Sequence, residues 1–284
     1  MMKKLLLLFM ICASVYTLNA QVNTPQPSPF SKVEQKVGLT DITLAYSRPG
    51  VKDREVFGNL VPYGKVWRTG ANKNTIITFS TDASVFGSTL KAGSYAIFTK
   101  PGKDMWEVYF YADTENWGTP KEWDASKVMA MGEVPVHPVP FNVETFTIDI
   151  NSIKNSSAII EIIWEKTYVG IPFTVPTDDA VLASINDVLG GEPKANDYFS
   201  SAVYYLQEGK DIKQAQEWID KAVDMDKDAP KFWVLRQQSL IHAKAGDKVG
   251  AIAAAKKSLE GAKKAGNADY VKMNEDSLKE WGAM

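Results

Sequence analysis

Val175-Pro176-Thr177-Asp178-Asp179 divides the sequence into two halves that follow different hydrophobic periods. Upstream, apolar residues recur at every second position. Ile42, Leu44 and Tyr46 alternate with Thr43 and Ala45, and Thr75 to Ser80, Ser94 to Thr99, Met105 to Tyr111, Glu144 to Ile150 and Ala158 to Trp164 are short β-rich runs. Turn-forming clusters such as Lys100-Pro101-Gly102-Lys103-Asp104 separate them. The pattern predicts about eight to ten strands in an antiparallel, jelly-roll-like β-sandwich over residues 30–175. Downstream, Val, Thr and aromatics give way to Ala, Lys, Gln and Glu with apolar spacings of three and four, so residues 176–284 read as a short all-α region of helical hairpins. The fold class is therefore α+β, with the sheet first and the helices after it.

Thr177 or Asp178 can cap a first helix that runs to about Leu189 and is ended by Gly190-Gly191. Two hairpins follow. The first turns at Glu208-Gly209-Lys210-Asp211, the second at Gly246-Asp247, and a last helix runs from about Ala268 to Trp281. A shift of 36 residues superposes Ala215 on Ala251, Ile219 on Ala255 and Ala222 on Ser258. Small residues at these places let helices approach closely, and the unit resembles a tetratricopeptide repeat. Two repeats are fewer than the three or so that usually stand alone, so these helices are expected to lean on the sandwich or on a partner. Tyr204, Tyr205, Trp218 and Trp233 are the candidate docking residues for a protein or peptide.

At the other end, Lys3 and Lys4 precede an apolar run from Leu5 to Val15, and Leu18-Asn19-Ala20 offers a cleavage site. The run is shorter than the roughly 20 apolar residues a membrane span needs. Residues 1–20 thus read as a signal peptide, residues 21–29 as an extended Pro/Gln leader, and the mature protein as exported, periplasmic or extracellular. Cys12 admits a lipoprotein reading, but Ile11 is a poor fit to the small residue that lipobox processing requires. Cleavage after Ala20 removes Cys12, the only cysteine, and with it any disulfide or thiolate site. The formal net charge of −2 becomes −4 without Lys3 and Lys4, so nothing in the balance attracts nucleic acid. No transmembrane segment is expected in the mature chain.

Chemistry concentrates between Ser47 and Thr75. The order is Arg48-Pro49, Arg54, Phe57-Gly58, Pro62-Tyr63-Gly64 and Trp67-Arg68-Thr69-Gly70-Ala71-Asn72, followed by Leu90-Lys91-Ala92-Gly93-Ser94-Tyr95 and Trp117-Gly118. Over about Phe30 to Thr174 this series resembles a family of secreted bacterial proteins known as a domain of unknown function, DUF2911. The resemblance implies a family and no activity.

Two readings of the segment stand side by side. In one, Arg48, Arg54 and Arg68 brace a long loop through pairs with acids such as Asp53 or Glu55. Arg48 continues the inward parity of Tyr46 and would need a partner. In the other, Arg48, Arg54 and Arg68, with Tyr63, Trp67 and Asn72, form a site for a small anionic or sugar ligand. The first makes a structural envelope protein, the second a binding protein; a hydrolase of glycans or esters using Asp53 or Glu55 as base is a third possibility. Trp106, Trp117 and Trp123 raise stacking on sugars as a further one, although alternation puts Trp106, Val108 and Phe110 on one face and Met105, Glu107, Tyr109 and Tyr111 on the other. The two histidines, His137 in a loop and His242 in a helix core, show no metal-ligand spacing, and no nucleophile elbow, phosphate loop or dinucleotide fingerprint is present. No metal or cofactor is expected.

Overall fold

The computed structural model describes residues 24–284; the signal peptide expected over residues 1–20 and its cleavage site lie outside the described residues. Nine strands come first: β1 Phe30–Val37, β2 Thr40–Ser47, β3 Thr75–Phe79, β4 Ala83–Val85, β5 Ser88–Leu90, β6 Gly93–Pro101, β7 Met105–Tyr111, β8 Val128–Asn151 and β9 Ser157–Thr174. All pairings are antiparallel, in the order β1-β2-β3-β6-β7-β8-β9-β4-β5. The expected sheet-then-helix order is what the chain adopts.

The sheet becomes two layers because β8 serves both. Its first part pairs with β7 through Pro135, and its later part pairs with β9. Between them the register slips at Pro138/Val143 and again at Val143/Thr147. A proline has no N–H to give a ladder, so Pro138 and Pro140 fit this slipped corner. The same prolines make residues 135–140 look like a loop in sequence. His137 instead lies within β8, opposite Tyr168.

Alternation fills the space between the layers. Ile42, Leu44 and Tyr46 of β2 and Trp106, Val108 and Phe110 of β7 face Phe146 and Ile148 of β8 and Ile160, Ile162 and Trp164 of β9 in one core. Phe79 of β3 and Phe173 of β9 meet at 5.7 Å between ring centroids. The opposite parity of β7 makes a smaller cluster on the outer face, where Phe98, Tyr109 and Tyr111 pack against Trp123. Two of the three tryptophans considered for sugar stacking are thus engaged in packing, while Trp117 is 76% exposed.

The chain divides between Thr177 and Asp178 into two units. Six helices follow the sheet: α1 Thr177–Leu189, α2 Ala195–Gln207, α3 Ile212–Met225, α4 Phe232–Lys244, α5 Lys248–Lys264 and α6 Ala268–Glu280. Their corners repeat one chemistry. Gly209, Gly246 and Gly266 take the left-handed conformation at φ 63°, 85° and 68°. Asp211, Asp247 and Asn267 then accept N–H groups of the next helix. The start of α1 departs from expectation. Thr177 is its first residue with an unpartnered buried hydroxyl, and the Asp178 carboxylate accepts the Tyr204 hydroxyl at 2.8 Å and pairs with Lys210 at 2.7 Å. Ala215, Ile219 and Ala222 on α3 are buried, and so are Ala251, Ala255 and Ser258, their counterparts on α5. No helix among the described residues is long and apolar enough to cross a membrane.

Candidate functional site

Residues 48–74 connect β2 to β3, far longer than most connections, and loops of this length in compact domains are commonly functional. This one carries its own anchors. Val51, Val56, Phe57 and Val61 drop into the main core, and Trp67 exchanges backbone hydrogen bonds with Thr99 of β6 at 2.7 and 2.9 Å. Gly64 N–H donates to the Pro101 carbonyl, and Thr69 and Thr99 join hydroxyls at 3.0 Å. The path requires unusual backbone. Of the seven non-glycine residues with positive φ among those described, Lys52, Asp53, Thr69 and Asn72 lie here. Gly70 has φ 146°, and a Cβ there would stand 3.1 Å from the Ser47 carbonyl oxygen.

The loop closes over a cavity of about 360 Å³. Its apolar lining comes from Pro27, Pro49, Leu60, Val61, Trp67 and Trp164, and its charged lining from Lys52, Arg54 and Arg68. Trp67 and Trp164 stack at 6.0 Å with 18° between their planes, over Phe57, Trp106 and Phe146. The Trp67 indole N–H donates to the Gly70 carbonyl at 3.1 Å, so the ring, not the N–H, faces the space.

The six residues singled out in the sequence therefore separate. Arg54, Trp67 and Arg68 line the cavity; Arg48, Tyr63 and Asn72 do not. Arg48 reaches β8, where its Nε donates to the Phe146 carbonyl at 3.0 Å and its Nη2 to Thr147 Oγ1 at 2.7 Å. Its partners are a carbonyl and a hydroxyl, not the carboxylates of Asp53 or Glu55. Tyr63 lies over Gly58 at the surface, its ring 2.8 Å from where a Cβ on that glycine would stand. Asn72 Nδ2 donates to Ser28 O at 3.1 Å, and to Gln26 Oε1 and Ser47 Oγ at 3.3 Å.

Asn72 thus ties down the leader, and the leader supplies Pro27 and Ser28 as one wall. An Asn72→Ala protein is expected to keep its sandwich at a cost of about 1 kcal/mol while amide exchange at residues 24–29 accelerates. Mass-spectrometric hydrogen exchange reads this directly; unchanged protection of the leader would mean that Asn72 is not its tether.

The electrostatics are one-sided. Arg54 spends its Nε and Nη2 on the Val51 and Gly50 carbonyls of its own turn, at 2.9 and 2.7 Å, which holds the guanidinium in place without neutralising it. Arg68 has no hydrogen-bond partner at its buried Nε, and burial lowers its pKa. An arginine remains a cation under such a shift. Lys52, Arg54 and Arg68 enter none of the ion pairs among the described residues. No carboxylate lines the cavity. The nearby Glu144 accepts the Lys52 backbone N–H at 3.0 Å. Asp53 and Glu55, the bases a hydrolase would use, stand outside the lining.

Lys52, Leu60 and Trp164 were missed as site residues. The first two lie within the quoted segment, and Trp164 shares the inward parity of Ile160 and Ile162. Among the described residues no cluster of three or more His, Cys, Asp or Glu could hold a metal ion.

In the helical unit the four docking candidates also separate. Tyr204 bonds to Asp178, and Tyr205 packs against Trp218 at 4.7 Å. Trp233 is 41% exposed beside Lys231, at the mouth of a crevice of about 30 Å³.

A family model described as "Protein of unknown function (DUF2911)" matches residues 28–173, which includes the whole β2–β3 loop and both tryptophans of the cavity. No curated protein and no solved structure matches the chain.

Proposed function

The chain belongs to the DUF2911 family, whose function is unknown, and from its own residues we propose that it is an exported binding protein that takes a small anionic ligand against Arg68. The observation that carries this is the half-buried Arg68 guanidinium, in no ion pair among the described residues, in a cavity with two further cations and no lining acid. Lys52, Arg54 and Arg68 line one space without an acid to offset them, and an incoming carboxylate or phosphate can pair with that charge through charge-assisted hydrogen bonds. Export rests on Lys3, Lys4 and the apolar run after them. The helical unit serves as a tetratricopeptide-like protein-docking region, with Trp233 the exposed ring available to a partner. A hydrolase reading has no carboxylate in the cavity to act as base, and a purely structural reading leaves Arg68 without a partner.

The test is titration of the mature protein with small carboxylates and phosphates, read by calorimetry and by ligand-induced thermal stabilisation. A charge-assisted hydrogen bond is worth about 1.5 to 3 kcal/mol, so Arg68→Ala should weaken binding roughly ten- to a hundredfold. The Arg68 side chain makes no hydrogen bond or ion pair among the described residues, so the variant should melt near the parent temperature. A folded variant lacking Lys52, Arg54 and Arg68 side chains that still bound the same anions equally well would refute the assignment.

A further inference from the structure

We propose that the ligand of the Arg68 cavity is a carboxylate carried on an apolar, acyl or aromatic, body rather than a sugar or a polyhydroxylated acid. The inference rests on the reading of the cavity as an anion site and narrows it by asking what the rest of the wall can satisfy.

A sugar presents hydroxyls, each a donor as well as an acceptor, and sites that hold sugars need acceptors to receive those protons. The wall has almost none on side chains. Lysine and arginine only donate, no Asp, Glu, Asn or Gln side chain lines the cavity, and Ser28 contributes one hydroxyl. Several backbone carbonyls of the lining already accept: Gly50 O from Arg54, Gly70 O from the Trp67 indole, Ser28 O from Asn72 and Pro49 O from the Phe146 N–H. A buried hydroxyl left unpaired weakens binding, which is how such walls reject polyols.

An apolar body meets the opposite situation. Pro27, Pro49, Leu60 and the part-exposed ring of Trp67 offer surface that an alkyl chain or flat ring can cover, with Trp164 packed behind Trp67. Their aromatic cluster is held by packing on both sandwich layers, so the wall is rigid before a ligand arrives. At the charged end, Arg54 is fixed by its two carbonyl bonds, and Lys52 and Arg68 line the same space, an arrangement suited to one compact anionic group. The cavity's volume of about 360 Å³ admits a body of modest size.

The experiment compares octanoate, phenylacetate, gluconate, glucose and inorganic phosphate on the full mature protein by calorimetry. Octanoate or phenylacetate should bind at least tenfold more tightly than gluconate, glucose should not bind, and Arg68→Ala should abolish the tight binding. Leu60 is exposed at the rim, so Leu60→Asn should fold normally and shrink the gap between octanoate and gluconate severalfold. Gluconate or phosphate binding as tightly as octanoate through Arg68 would overturn the apolar-body inference while leaving the anion site intact. No Arg68-dependent binding of any of the three anion types would overturn the anion site itself.

Discussion

Replacing Trp164 by alanine is expected to cost the sandwich about 3 to 5 kcal/mol, the range for removing a large aromatic side chain from a packed core. Trp164 is 1% exposed on the inward face of β9 and meets Trp67, Phe57 and Phe146 with centroids 5.4 to 6.1 Å apart. Its indole N–H also donates to the Glu144 carbonyl at 3.2 Å, across to β8. Deletion therefore removes contact area, leaves a cavity the neighbouring rings cannot fill, and takes away one of two bonds to that carbonyl, which keeps the Val51 N–H at 2.8 Å. Trp117→Ala is the control, since an exposed ring should change stability by no more than about 0.5 kcal/mol. Chemical denaturation followed by near-ultraviolet circular dichroism measures both. Equal losses in the two variants would show that the ring cluster does not hold the layers together. Because Trp164 also forms the cavity floor, the same variant should lose anion-induced stabilisation, an effect that Trp164→Phe should partly restore.

Period-two alternation in the first half separated the strand faces. Ile42, Leu44 and Tyr46 point inward as their alternation predicts, whereas on β7 alternation only separated two faces: Trp106, Val108 and Phe110 join the main core, and Tyr109 and Tyr111 the smaller outer cluster. Less visible was the length of β8. Pro135, Pro138 and Pro140 read locally as turn residues, and only pairing with two different neighbours, with slips between them, makes a strand through that sequence workable.

Site chemistry was legible by residue type more than by position. Three arginines and a tryptophan within one loop signalled a place where guanidinium groups accumulate, but a sequence cannot tell which way a loop of this length carries each side chain. Arg48 turned to β8, Asn72 to the leader, and only Arg54, Trp67 and Arg68 to the cavity. Trp164 lies on a distant strand, and its arrival beside Trp67 depends on the layers folding together along β8. The helical corners were the reverse case. Gly followed by Asp or Asn is a local signal, and it was readable because each capping bond spans two or three residues.

The second large effect concerns His242, which sequence places in a helix core without saying why a histidine belongs there. The residue is 8% exposed on α4, with Nε2 2.7 Å from Asp220 Oδ1 on α3 and Nδ1 2.7 Å from Asp247 Oδ2 at the start of α5. Gln216 and Gln238 complete the surroundings, and Lys213 is the nearby cation. With a carboxylate at each nitrogen, the ring donates at both only when protonated. Burial pushes the His242 pKa down, but the bonds and charges of Asp220 and Asp247 outweigh it and hold it above 6.5. Folding therefore favours the proton. The stabilisation is complete below the ordinary histidine pKa and is lost as pH rises through the elevated folded value. Asp247 acts in the other direction: the Gly250 N–H and His242 lower its pKa, so its share is present above the ordinary carboxylate pKa and fades as pH falls through the lowered one. The helical unit should be most stable in mildly acidic solution and lose stability toward alkaline pH. His242→Gln should flatten that alkaline decline, and His242→Ala should cost roughly 2 to 3 kcal/mol at pH 6 through lost charge-assisted bonds and packing. Gly250 offers an independent check, because a Cβ there would lie 2.3 Å from both His242 Nδ1 and Asp247 Oδ2. Gly250→Ala should therefore force the pair apart and weaken the same pH dependence. Thermal melts of the three variants across pH 5 to 9 decide it, and an alkaline decline unchanged in His242→Gln would exclude His242 as its source.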